Sequence, residues 1–136
     1  MKNPVLIAAL IIAIPADFAL AGNAAIDRLL QDYAARGAAG ADAARGKRMW
    51  DETFRRDGEF PQRSCSSCHT TDLTASGRHV RTNREIKPMA PAANPKRLTD
   101  VKKIEKWFKR NCKWTLGREC SAREKADFLA YINNPS

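Results

Sequence analysis

Apolar residues recur at helical spacing in four stretches of this chain, and the segments between them show no period. Ile26, Leu29, Leu30 and Tyr33 fall on one face of a helix predicted over residues 24–35. The run Arg36-Gly37-Ala38-Ala39-Gly40 then breaks it. Asp42 is a suitable N-cap for a second helix reaching about Phe54, with Gly46, Met49, Trp50 and Phe54 on roughly one face. Gly46 lowers helix propensity there, but it lets another helix cross closely. Thr99 or Asp100 can cap a third helix to about Cys112, on which Val101, Ile104, Phe108 and Asn111 lie within an arc of about 80°. Lys102, Lys103, Lys106, Lys109 and Arg110 take the other side. Asn111 stands out as a polar amide on the apolar stripe. Ser121 and Glu124 form a capping box for a last helix to about Asn133, carrying Ala126, Phe128, Leu129, Tyr131 and Ile132.

No strand pattern and no repeat interrupts this series, so the expected class is all-α, with about four or five helices. Residues 57–61 read as a loop. Residues 70–94 also lack a period, and Pro88 and Pro91 stiffen part of their path. A structureless stretch of that length in a compact domain normally has a function. It is expected to lie along a bound cofactor.

The N-terminus changes the picture of where the protein works. Lys2 is followed by an apolar run from Val5 to Ile14 and by Ala19-Leu20-Ala21, the features of a secretory signal peptide cleaved after Ala21. The apolar run is too short to span a bilayer comfortably. The expected division is a signal peptide over residues 1–21 and one domain over residues 22–136, located in the periplasm. A chain of this size has a small core, which a large apolar cofactor would extend. The formal net charge is +9. An exported protein rarely meets nucleic acid, so this charge points to an anionic surface or an acidic redox partner.

The candidate chemistry is concentrated in Cys65-Ser66-Ser67-Cys68-His69. C-x-x-C-H is the attachment sequence for c-type haem, with one thioether to each thiol and the histidine beneath the iron. A thioredoxin-type reading would need a βαβ context, which the pattern lacks. A zinc site would need Cys112 or Cys120 as well, and their spacing fits no zinc ribbon. The expected cofactor is therefore one covalent haem c, held by Cys65 and Cys68 with His69 as proximal iron ligand. Cys112 and Cys120 remain as a pair, and an oxidising compartment favours a bridge between them. From the residues alone the sixth iron position stays open between His79, Met89, Asn111 and water.

A wider set of residues carries a resemblance. Cys65 to His69, Glu85-Ile-Lys-Pro-Met-Ala-Pro91, Arg97-Leu-Thr-Asp100, Asn111-Cys112, Leu116-Gly-Arg-Glu-Cys120 and Glu124-Lys-Ala-Asp127 resemble the small class I cytochromes typified by the sphaeroides haem protein and cytochrome c″. The resemblance implies a class I cytochrome c fold around one haem, with a disulfide between Cys112 and Cys120. It also implies that the residue before the first of these cysteines, here Asn111, is the distal ligand. Cytochrome c″ has histidine at that place, and the sphaeroides haem protein has asparagine. Met89 would then not ligate. The implied behaviour is loss of the distal ligand on reduction and binding of oxygen or nitric oxide. The implied partner is a dihaem cytochrome c served by a membrane b-type cytochrome, with the chain itself a monomer. Catalytic turnover as an oxygen- or nitric-oxide-reacting enzyme is compatible with this pattern, but no residue commits the chain to it.

Overall fold

The computed structural model describes residues 23–135, so the expected signal peptide lies outside the described residues. Five helices and two short hairpins make up this part, in the order α1 (Ala24–Ala35), α2 (Ala43–Asp51), β1 (Phe54–Arg55), β2 (Gln62–Arg63), α3 (Ser66–His69), β3 (Gly77–Arg78), β4 (Glu85–Ile86), α4 (Val101–Thr115) and α5 (Ala122–Asn133). Among the described residues no helix is long and apolar enough to cross a membrane.

Each longer helix starts where a side chain satisfies the free backbone N–H groups of its first turn. Asn23 accepts from Ala25 N, Asp42 from Ala44 N and Arg45 N, and Asp100 from Lys103 N. Ser121 and Glu124 form the expected reciprocal box. Two boundaries differ from the periodicity. α2 stops at Asp51, because Phe54 leaves the helical face and pairs with Arg63 in an antiparallel hairpin. α4 runs on to Thr115, beyond Cys112.

The segment expected to be structureless contains the second hairpin, with Gly77 opposite Ile86 and Arg78 opposite Glu85. Its strands are two residues each, too short to leave an alternating pattern in the sequence.

α5 is the centre of the packing. α2 crosses it at Gly46, where a Cβ would stand 2.2 Å from the carbonyl oxygen of Asp127 and 2.9 Å from Cβ of Tyr131. Only glycine permits this approach. Asp127 is buried, and its carboxylate accepts from Asp42 N at 2.8 Å and from both Nε and Nη2 of Arg45 at 2.8 Å. A buried carboxylate requires such partners. On the other side α1 packs through Leu29 and Tyr33 against Ile104, Ala126 and Leu129. The Tyr33 hydroxyl donates to Glu105, whose other oxygen accepts from Lys125 at 2.6 Å. Burial and the Glu105 carboxylate raise the pKa of the Tyr33 phenol.

Candidate haem site

The second apolar cluster gathers Trp50, Leu73, Ala90, Cys112, Cys120, Phe128, Tyr131 and Ile132. Met49, Cys65, Met89, Leu98, Phe108 and Leu116 pack on it half-buried. Helices α2, α4 and α5 and the 70–94 segment meet here, and the C-x-x-C-H turn is part of the edge.

That turn is helix α3. His69 N and Cys68 N both donate to Cys65 O, at 3.0 and 3.3 Å, so Cys65, Cys68 and His69 share one short helical turn. Ser64 and Ser67 exchange bonds around its start. Thr70 ends it with φ +64, a conformation uncommon for a β-branched residue. The Trp50 indole holds that residue in place, donating from Nε1 to Thr70 O at 2.8 Å. Tyr131 reaches the next carbonyl, Thr71 O, at 3.4 Å.

Cys65 and Cys68 are not joined in a disulfide and are both half-buried. Burial pushes the Cys65 thiol up to about 12, with Asp51 and Cys68 adding to the shift. Burial likewise pushes His69 down to about 4, helped by the positive charge of Arg97. His69 is thus a neutral imidazole at neutral pH, the form that ligates a metal. Its Nδ1 is buried and has no hydrogen-bond partner. Two adjacent thiols, a neutral imidazole and a half-covered apolar rim fit a covalently held haem.

Cys112 and Cys120 are joined by a disulfide, with their Cα atoms 5.6 Å apart. Bonded to each other, they are not available as thiolate ligands, which removes the zinc reading. Two residues before Cys65, Arg63 donates to Trp114 O at 2.9 Å and lays its guanidinium 3.7 Å over the Trp114 ring. Phe60 also packs on this ring, 6.1 Å between centroids. These contacts tie the start of the haem turn to the end of α4, where Asn111 sits.

The three candidates for the sixth position fall in different surroundings. Asn111 is exposed rather than buried, which corrects the expectation from its place on the stripe. Neighbouring elements cover Ile104, Cys112 and Thr115. Along the shared flank, exposure rises from buried Ile104 through half-buried Phe108 to Asn111. Met89 is half-buried in the apolar cluster, and its backbone N–H donates to Leu73 O at 2.9 Å. His79 is exposed in the turn between β3 and β4. Its Nδ1 accepts from Arg81 N at 3.3 Å and from Thr82 N at 3.2 Å, so this nitrogen is engaged within its own turn.

Periodicity and spacing missed Gly77. It is buried, and a Cβ there would stand 2.0 Å from the carbonyl oxygen of Cys68. A glycine inside an aperiodic segment, eight positions after a haem motif, was the available signal.

Comparison with known proteins places this geometry among relatives. A family model described as a domain of unknown function, DUF1924, matches residues 36–132. The cytochrome c-type protein SHP of Cereibacter sphaeroides is 42% identical over 120 residues, spanning 88% of this chain and 92% of the relative. Cytochrome c″ of Methylophilus methylotrophus is 45% identical over 69 residues, or 51% of this chain and 48% of that protein. The structure of oxidised SHP, described as an oxygen-binding cytochrome c, superposes with a TM-score of 0.72 at 41% identity, covering 79% of this chain and 95% of that one. A solution structure of cytochrome c″, described in terms of haem-ligand detachment, gives 0.68 at 34% identity, covering 80% and 92%.

Proposed function

The chain belongs to the SHP and cytochrome c″ family of haem-containing c-type cytochromes, and from that premise we propose that it is a redox-switched, gas-binding protein of the periplasm. Cys65 and Cys68 hold one haem c by thioethers, His69 is the proximal ligand and Asn111 the distal one in the oxidised protein. The haem supplies an iron that cycles between ferric and ferrous states and a face on which a diatomic ligand binds. Asn111 would be the ligand released on reduction, leaving its position open to oxygen or nitric oxide.

The placement of Asn111 is the observation that carries this reading. It occupies the open flank of α4, in line with Ile104 and Phe108, directly before Cys112. The Cys112–Cys120 bridge holds that end of the helix. The backbone at position 111 is therefore anchored while its exposed side chain keeps rotameric freedom. An amide oxygen is a neutral, hard donor that binds ferric iron better than ferrous, so reduction weakens the bond it makes. The relatives support the reading through an oxygen-binding cytochrome c and a cytochrome c″ studied for haem-ligand detachment.

Lys102, Lys103, Lys106 and Lys109 are all exposed on α4. We assign to this face the meeting with an acidic electron donor, a dihaem cytochrome c served by a membrane b-type cytochrome. Such docking is screened by salt.

The test is a spectrum. The ferric protein should be six-coordinate, and dithionite alone should give five-coordinate, high-spin ferrous haem that takes up carbon monoxide or nitric oxide. Asn111→His should give a low-spin ferric protein, because imidazole is the stronger-field ligand. Asn111→Ala should leave ferrous gas binding intact or faster. A wild-type ferrous form that stays low-spin and excludes carbon monoxide overturns the switch. The protein would then be a six-coordinate electron carrier, with ligation passing to His79 or to half-buried Met89.

A further inference from the structure

The β3–β4 hairpin takes no part in the ligand set, yet it lies directly on the haem turn. Besides its 2.0 Å approach to Cys68 O, a Cβ at Gly77 would stand 2.9 Å from the Cα of His69. Both neighbours are backbone, so neither can be relieved by swinging a side chain. The position of β3 therefore dictates the position of the Cys68–His69 segment. β3 is fixed in turn by its pairing with Glu85–Ile86 and by a 2.8 Å bond from Ser76 Oγ to Glu85.

A hairpin this short is marginal on its own and depends on its turn. That turn is organised by His79. Its ring Nδ1 accepts from the backbone N–H groups of Arg81 and Thr82, with the Thr82 hydroxyl 3.1 Å away. Its backbone N–H donates to Arg84 O at 2.9 Å, and its carbonyl accepts from Asn83 N at 2.8 Å. A single residue thus closes the loop by both ring and main chain.

We propose that this hairpin positions the proximal ligand: Gly77 seats the Cys68–His69 backbone, and His79 holds the hairpin closed as a hydrogen-bond acceptor. The proposal rests on the reading of His69 as proximal ligand. It accounts for an asymmetry in that reading. The histidine side is held backbone to backbone by β3, and at Thr70 by Trp50. Asn111 has no such backbone clamp and is exposed, so it would be the ligand free to leave.

Resonance Raman spectra of the dithionite-reduced holoprotein test it. Wild type should show an iron–histidine stretching band; a high-spin, five-coordinate ferrous haem without that band overturns the reading of His69 itself, and a low-spin ferrous haem overturns the release of Asn111 on which the asymmetry rests. Gly77→Ala should displace or broaden the band. His79→Leu should do the same, whereas His79→Asn should restore the wild-type band, because its side-chain oxygen can accept from the same two N–H groups. Wild-type bands in both Gly77→Ala and His79→Leu overturn the proposal. So does a His79→Leu protein whose ferric spectrum shows a lost axial ligand. Should Gly77→Ala not retain haem, the two His79 variants decide the question.

Discussion

The indole ring of Trp50 sits 5.5 Å from the imidazole of His69, centroid to centroid, with the planes tilted by 45°. The same indole packs against Phe128 and Tyr131 of α5. One side chain on α2 therefore joins the packed helix pair to the haem turn. Trp50→Phe keeps the apolar body but removes the Nε1 donor to Thr70 O. It should cost about 1–3 kcal/mol, the usual range for leaving a buried carbonyl without its donor. Trp50→Ala should cost about 3–5 kcal/mol. Urea unfolding of the holoprotein measures both.

Gly46→Ala should destabilise the protein, although alanine is the better helix former by about 1 kcal/mol. The added methyl would overlap the Asp127 carbonyl and the Tyr131 side chain, forcing α2 and α5 apart. Overpacking of this kind typically costs about 1–3 kcal/mol. A lowered urea midpoint is the expected result, and an unchanged or raised one would contradict the close crossing.

The two cysteine pairs should behave differently. Cys65→Ala or Cys68→Ala should prevent stable haem incorporation, as read by mass spectrometry of the exported protein. Cys112→Ala combined with Cys120→Ala should still give holoprotein. Its stability should fall by roughly 2–3 kcal/mol, the chain-entropy value for a short closed loop. Alkylation of wild-type holoprotein without reductant should label no thiol.

Glu124 gives a pH dependence. Hydrogen bonds from Arg118, at 2.6 and 2.8 Å, lead its shift, with the Ser121 N–H contributing, and they hold the carboxyl down from 4.5 to about 2. A carboxylate with a depressed folded value stabilises the protein above its unfolded pKa. That contribution is lost as pH falls from about 5 towards 2. Glu124→Gln should therefore flatten the acid limb of a stability–pH profile while lowering stability at pH 7.

Much of this protein was determined locally and could be read in one dimension. Helix periodicity depends on neighbours three and four positions apart, so α1 and α5 emerged with their boundaries. Capping residues act within three positions, which made Asp42, Asp100 and Ser121 legible. C-x-x-C-H works within a single turn, and its fixed spacing carried the cofactor class. What only the tertiary structure decided depends on contacts between distant segments. Phe54 left its helix because Arg63 offered strand pairing. Residues 77–86 formed a hairpin too short for periodicity to register. Gly77 acquired its role from the backbone of Cys68 and His69, which no spacing rule connects to it. Asn111 shares a helical face with buried Ile104, but burial depends on what other elements cover, and here they cover Cys112 and Thr115 instead.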